Sequence, residues 1–285
     1  MTKSDVIFYH IRWYIDEHRQ FIYCNSIEEV PKMDIFDLTG KVAIVTGGNQ
    51  GIGLAISHGL ARAGAAVIIA NRRAEEGTKA AESLKKEGLD AASIPTNVSD
   101  ESSIAAMVAK VMASHGKIDI LVNNAGVIVR KPAEDFTRED WDHIMNTNLR
   151  GVFFCCQMVG REMIKQKKGK IINISSDASL RAMTERTVYA TSKAAVSHLT
   201  RCLAVEWAKY NINVNAIGPG PTITPLNKKY YEENPDKLQE TIQSIPMGRT
   251  GDTSDYMGAA VFLASEASNF MTGQTLLIEG GSTLP

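Results

Sequence analysis

Residues 42–53 read Val42-Ala43-Ile44-Val45-Thr46-Gly47-Gly48-Asn49-Gln50-Gly51-Ile52-Gly53, and this stretch decides the fold. Its apolar start shows no alternation, as expected of a strand buried on both faces. The glycines that follow let the backbone take positive φ and approach a bound group closely. Ile52, Ile56 and Leu60 then fall at i, i+4 and i+8 before Gly64, the pattern of a helix with a glycine stop. Strand, glycine turn and helix N-terminus together make a cradle for a pyrophosphate. The spacing is G-x-x-x-G-x-G rather than G-x-G-x-x-G, and taken alone such a turn would also suit a plain loop.

Outward from this stretch the same rhythm recurs. Apolar, β-branched runs at 66–70, 92–95, 118–122, 170–174, 212–216 and 275–278 alternate with helical patterns, such as Val108 and Val111 before Gly116. With the first strand they predict a single α/β domain over residues 39–285. It is a doubly wound, Rossmann-type domain with a seven-stranded parallel sheet flanked by helices. Residues 225–247 interrupt the rhythm with Lys228, Lys229, Tyr230 and Tyr231 between Pro225 and Pro246, a candidate substrate lid.

Residues 1–38 differ. They hold seven of the 19 aromatic residues, among them Phe8, Trp13 and Tyr14, where a disordered tail would be depleted in them. Ile7, Ile11, Tyr14 and Ile15 share a helical face, and Ser26-Ile27-Glu28-Glu29 has capping-box spacing. The expectation is an N-terminal arm packed on the body or on a neighbouring subunit. The alternative is an unneeded extension upstream of Met33.

Lys+Arg 31 against Asp+Glu 32 give a net charge of -1 over 285 residues, which argues against nucleic acid or an acidic membrane held by bulk charge. Neither a membrane-crossing apolar run nor a signal-peptide core is apparent. The four cysteines (Cys24, Cys155, Cys156 and Cys202) lack CxxC spacing and read as reduced thiols of a cytoplasmic protein, with no metal site.

The second strand ends in Asn71-Arg72-Arg73. An acidic residue there would bind a ribose 2′-hydroxyl and repel a 2′-phosphate. A neutral amide with two guanidiniums suits the phosphate dianion, so NADP(H) is favoured and NAD(H) stays possible. A solvated basic helix start is the other explanation. In Tyr189-Ala190-Thr191-Ser192-Lys193 the phenol and the ammonium lie at i and i+4, on one helix face. A cation near the phenol lowers its pKa from about 10 and makes it a proton donor or acceptor. Ser176 follows the strand at 170–174 and could bond the same substrate oxygen. Asn123-Asn124-Ala125-Gly126 follows the fourth strand of this sheet, where small residues line a cofactor cleft, and Asn148 sits in the helix beyond.

Residues 39–285 resemble a short-chain dehydrogenase/reductase. The match rests on TGxxxGxG at 46–53, NNAG at 123–126, Asn148, Ser176, Tyr189, Lys193 and Pro219-Gly220-xxx-Thr224. The resemblance implies that Tyr189 is the acid/base and that Lys193 lowers its pKa while holding the nicotinamide ribose. It implies that Ser176 orients the substrate carbonyl and that Asn148 anchors a water relay. Gly47, Asn49, Gln50, Gly51, Ile52 and Gly53 would hold the pyrophosphate, with Asn124, Ala125 and Gly126 beside the cofactor. Asn97 and Val98 would flank the adenine, although many relatives carry Asp in place of Asn97. Pro219, Gly220 and Thr222 would meet the nicotinamide carboxamide, and Thr224 would also contact the cofactor.

Within the family the run at 206–215 is most similar to the gluconate 5-dehydrogenase and deoxy-ketogluconate dehydrogenase branch, which implies a sugar acid or polyol as small-molecule substrate. Arg130 and Lys131 could face its carboxylate, or be solvated. The alternatives are 3-oxoacyl, steroid or other small carbonyl substrates, or a non-catalytic NADP(H)-binding module. The family also implies a homotetramer built on helices near 137–168 and 187–209. The second of these carries Val196, Leu199, Leu203 and Trp207 on one apolar face.

Overall fold

The computed structural model describes residues 12–15, 21–24 and 34–284. The chain divides into two units, Met1–Ile35 and Phe36–Pro285. In the first, β1 (Arg12–Ile15) and β2 (Phe21–Cys24) pair antiparallel, with Arg12 opposite Cys24 and Ile15 opposite Phe21. Tyr14 and Ile15 therefore belong to a strand and not to the expected helical face. Aromatic and β-branched residues in Arg12-Trp13-Tyr14-Ile15 favour the extended chain once a second such run can pair with it. The other expectations for this segment, on Ile7, Phe8, Ile11 and the capping-box stretch, lie outside the described residues.

The second unit holds all seven expected strands: β3 (Val42–Thr46), β4 (Ala66–Asn71), β5 (Ala91–Pro95), β6 (Ile120–Asn123), β7 (Gly169–Ile174), β8 (Ile212–Pro219) and β9 (Thr275–Ile278). Every pair is parallel, in the order β5-β4-β3-β6-β7-β8-β9. The chain winds outward from β3 in one direction and from β6 in the other. The crevice between them, at the strands' C-terminal ends, is where such sheets take ligands.

Between the strands run α1 (Gly51–Arg62), α2 (Ala74–Lys86), α3 (Glu101–His115), α4 (Arg138–Met145), α5 (Gly151–Gln166) and α6 (Thr187–Trp207). After β8 come α7 (Lys228–Glu233), α8 (Pro235–Gln243) and α9 (Met257–Ala264). Two apolar cores sandwich the sheet. One contains Ile56 and Leu60 of α1, Leu84 of α2 and Leu263 of α9. The other contains Ile104 and Val111 of α3, Cys155 and Val159 of α5, and Val196 and Leu203 of α6. Each such side chain contributes roughly 1.5–3 kcal/mol by leaving water, which is why the strands read as unbroken apolar runs.

The α6 face corrects one expectation. Val196 and Leu203 are buried in the molecule's own core, with Leu199 and Trp207 packed against it. A Cβ on Gly160 of α5 would lie 2.7 Å from the Trp207 ring, so a glycine there admits the indole. This apolar stripe is explained without a second subunit.

Candidate active site

Thr46 ends β3 and organises the crevice. Its hydroxyl accepts hydrogen bonds from the amides of Asn124 (3.0 Å) and Ala125 (3.1 Å), tying the glycine turn to the segment after β6. Asn124 reciprocates, its side-chain Nδ2 donating to the carbonyls of Thr46 (3.0 Å) and Gly47 (3.1 Å). Gly47 has φ +63 and Gly51 φ +55, conformations that favour glycine. A Cβ on Gly53 would sit 2.3 Å from both Asn124 Nδ2 and the Gly47 carbonyl. Gln50 precedes α1 without capping it through its side chain, so the helix's first amides are free to meet an anion.

A cleft opens over this turn and reaches Ser176, Tyr189 and Lys193. A polar arm shares Gly47, Asn49, Gln50, Ala125 and Gly126 with it and extends to Asn71, Arg72, Arg73, Asn97 and Val98. Ile52, Pro219, Gly220, Thr222 and Thr224 line the main cleft. The shape and lining suit a dinucleotide lying across the strand ends. The arm would take its adenosine half, and the main cleft would take the nicotinamide half with a substrate.

Within the arm, Asn71 is buried and its Oδ1 lacks a partner, while Nδ2 donates to the Arg73 carbonyl at 2.7 Å. That oxygen is turned toward Gly77 of α2, where a Cβ would meet it. Arg72 and Arg73 are exposed, and Arg73 Nε pairs with Glu76 at 2.5 Å. The same carboxylate accepts from Asn49 Nδ2 at 3.0 Å. The sequence reading missed Glu76. Its spacing of three from Arg73 at the start of α2 was the available signal.

In the main cleft, the Lys193 ammonium is buried and donates to the Ile174 carbonyl at 2.7 Å. It lies 5.8 Å from the centre of the Tyr189 ring. Burial pulls the Lys193 pKa down to about 8. Burial pushes the Tyr189 phenol up, against the opposing influence of the Ser176 hydroxyl and of Arg186 and Arg130. The sequence expected Lys193 to draw the phenol down. Arg186 and Arg130 act on the Tyr189 phenol, while the Lys193 ammonium points at the Ile174 carbonyl.

Asn148 is fully buried in a single π-turn, Asn146–Arg150, between α4 and α5. Its Oδ1 accepts from the Val127 amide (2.8 Å), and Nδ2 donates to the Val127 carbonyl (2.9 Å) and Ser192 Oγ (3.1 Å). The side chain is thus committed to holding the NNAG loop against α6, a common use of a π-turn beside a site. Thr222 Oγ1 is hydrogen-bonded to the Tyr256 hydroxyl. Of the two candidate cations beyond NNAG, only Arg130 lines the cleft. Its guanidinium stacks 4.2 Å from the Tyr230 ring centre, and its buried Nε lacks a partner. Lys131 is held by Asp140 in an ion pair at 2.5 Å. Asp177 and Arg186 line the cleft too, and sequence reasoning passed over both, although Asp177 directly follows Ser176.

Comparison with known proteins agrees with this geometry. Residues 47–283 match the family described as enoyl-(acyl carrier protein) reductase. Gluconate 5-dehydrogenase of Gluconobacter oxydans is 41% identical over 253 residues, covering 88% of this chain and 98% of that protein. 2-Dehydro-3-deoxy-D-gluconate 5-dehydrogenase of Dickeya dadantii is 44% identical over 250 residues, covering 87% and 98%. The solved gluconate 5-dehydrogenase of Burkholderia cenocepacia, in complex with NADP and tartrate, superposes with a TM-score of 0.85 at 40% identity, covering 88% of this chain and 98% of that one.

Proposed function

Because the chain belongs to the short-chain dehydrogenase/reductase family, we propose that it moves a hydride between NADP(H) and the ketone or secondary alcohol of a sugar acid. The observation that carries this is one cleft in which Tyr189 and Ser176 face the half-buried guanidiniums of Arg130 and Arg186. A phenol beside a hydroxyl provides proton transfer to a carbonyl oxygen, and the guanidiniums suit the carboxylate of a sugar acid. The relatives' printed activities and the NADP in the Burkholderia structure support the same choice.

When bound, the dinucleotide supplies or accepts the hydride. Gly47, Asn49, Gln50, Gly51, Ile52 and Gly53 would hold its pyrophosphate on the start of α1, with Asn124, Ala125 and Gly126 closing the opposite side. Asn71, Arg72 and Arg73 would take the adenosine ribose and its 2′-phosphate, and Asn97 and Val98 the adenine. Pro219, Gly220, Thr222 and Thr224 would face the carboxamide, with Thr222 steadied by Tyr256. Lys193 would bind the nicotinamide ribose. Tyr189 transfers the proton to or from the reacting oxygen, and Ser176 hydrogen-bonds that oxygen. Asn148 acts by fixing Val127 and Ser192 around the path along which Tyr189 exchanges its proton with solvent.

The segment 225–247, carrying α7 and α8, serves as the lid, with Tyr230 meeting Arg130 and the buried Tyr231 on the cleft wall. The active form is a homotetramer in the cytoplasm. Exposed Phe153, with the partly buried Leu149 and Leu199 beside it, offers an apolar patch for association. Light scattering should give about four times the chain mass of 31.1 kDa.

The test is a panel run with NADPH and with NADH: 5-keto-D-gluconate, a 3-oxoacyl thioester, a steroid ketone and a small apolar ketone. Fastest turnover of the keto acid with NADPH is expected. Preference for the thioester would move the substrate assignment to acyl chains. Stoichiometric NADPH binding without turnover of any carbonyl would leave only a binding module.

A further inference from the structure

Two cations adjacent in sequence beyond the NNAG loop are held in opposite ways. Lys131 is paired with Asp140, a partner that neutralises its charge. Arg130 is held by a ring: its guanidinium lies 4.2 Å from the ring centre of Tyr230, on α7 of the lid. An aromatic ring binds a guanidinium through its flat face, whereas the N–H donors lie in the guanidinium plane and point outward from its edge. Stacking therefore fixes the cation and leaves its donors unspent. Arg130 Nε is buried and has no partner. Among the described residues, neither Arg130 nor Arg186 is in an ion pair, although both line the cleft. Burial and the nearby Arg186 hold the Arg130 pKa below its ordinary value, as expected where positive charge is in surplus. Tyr230 is not part of the cleft lining, so it contacts the cation from outside. The buried Tyr231 meets the Tyr230 ring edge-on at 5.4 Å, and the Tyr230 carbonyl accepts from Asn234 Nδ2 at 2.8 Å.

We propose that Tyr230 is a positioning residue for acid recognition: its ring face holds the Arg130 guanidinium with the N–H edge free, which makes the cleft selective for a substrate carrying a carboxylate. A carboxylate can take two parallel N–H bonds from such an edge. It also relieves the repulsion between Arg130 and Arg186, which a neutral polyol leaves in place. A carboxylate on the lid in place of the ring would hold the cation too, but it would cancel the charge that the substrate has to meet. The inference rests on the sugar-acid reading above and deepens it by naming the lid side chain through which that reading acts. Tyr230 works through Arg130 alone, so its loss should be felt by an acid and not by the neutral counterpart of that acid.

The experiment titrates the NADPH-bound protein by calorimetry with D-gluconate and with D-glucitol, which differ only in a carboxylate against a hydroxymethyl group. Neither alcohol reacts with the reduced cofactor. The unaltered protein should bind gluconate more tightly. Tyr230→Leu, which keeps an apolar contact for Tyr231, should lower the preference for gluconate about fivefold, within the range for a cation on an aromatic face, with glucitol affinity unchanged. Tyr230→Phe keeps the ring face and should keep the preference within about twofold. Tyr230→Met replaces the leucine variant if that one does not fold. Equal losses for both ligands would mean a merely structural lid residue and overturn the inference. So would an unchanged preference in Tyr230→Leu, or a preference lost equally in Tyr230→Phe. The same comparison is made with L-lactate and 1,2-propanediol, a smaller pair differing in the same group. If the unaltered protein prefers lactate to the diol but binds neither six-carbon ligand, the sugar-acid assignment fails while the smaller pair still decides the role of Tyr230. If neither pair shows a preference for the acid, both fail.

Discussion

Replacing Lys193 by methionine should make the cofactor-free protein more stable while it disables the enzyme. The ammonium is buried, and its pKa falls from 10.5 to about 8. At about 1.4 kcal/mol per pKa unit, holding that charge in place at pH 7 costs the fold on the order of 3 kcal/mol. Methionine fills similar space without the charge. It forfeits the bond from Nζ to the Ile174 carbonyl, which is worth about 1 kcal/mol. The net gain is about 2 kcal/mol, or roughly 4–8 °C in Tm for a domain of this size. The pH dependence fixes the sign. Between about 8 and 10.5 the unfolded chain binds a proton at Lys193 that the folded chain does not, so stability of the unaltered protein rises with pH through that window. The advantage of Lys193→Met should therefore be full at pH 7 and fade toward pH 10.5. Calorimetry of both cofactor-free proteins at pH 7 and near pH 10 measures this, alongside a turnover assay in which the variant should be inactive. A variant that melts lower at pH 7, or a gap that stays constant with pH, would refute the reasoning.

Cofactor choice offers two further tests. Arg72 makes no ion pair among the described residues and stands at the mouth of the polar arm, so Arg72→Ala should weaken NADPH binding about tenfold, the lower end for a charge-assisted bond. NADH affinity should barely move, and titration by fluorescence would show equal losses if the arginine does not read the 2′-phosphate. Glu76→Gln removes the carboxylate that holds Arg73 and Asn49. Freed from an exposed ion pair worth at most about 1 kcal/mol, NADPH binding should tighten about 2–5-fold without a matching gain for NADH. A loss of NADPH affinity would show that Glu76 serves to aim Arg73 rather than to compete with the phosphate.

The architecture was legible because burial on both faces leaves strands as unbroken apolar runs, and all seven were found within a few residues. The boundaries moved where hydrogen bonding outlasts hydrophobicity: β8 continues through Ile217 and Gly218 to Pro219 because β9 pairs with it there. The glycine turn and NNAG were legible as separate motifs. Their union through Thr46 and Asn124 was not, since it depends on two segments brought together by strand pairing. Periodicity failed twice. At Tyr14 and Ile15 a period-3.6 pattern overlapped an aromatic run that pairs as a strand. On α6 the apolar stripe was real, but periodicity does not say whether a helix buries its face in its own sheet or in a neighbour. The electrostatics were the least legible. Lys193 and Tyr189 at i and i+4 suggest direct coupling, whereas the fold points the ammonium at the Ile174 carbonyl and brings Arg130 and Arg186 from distant positions toward the phenol.

The most direct test of the central claim is the steady-state rate of 5-keto-D-gluconate reduction by NADPH, in the unaltered protein and in Tyr189→Phe. The unaltered protein should turn over the keto acid. Removing the phenolic proton donor should lower kcat by about 10²–10⁴-fold, with NADPH affinity and Tm little changed. Near-normal turnover by the phenylalanine variant would contradict the account.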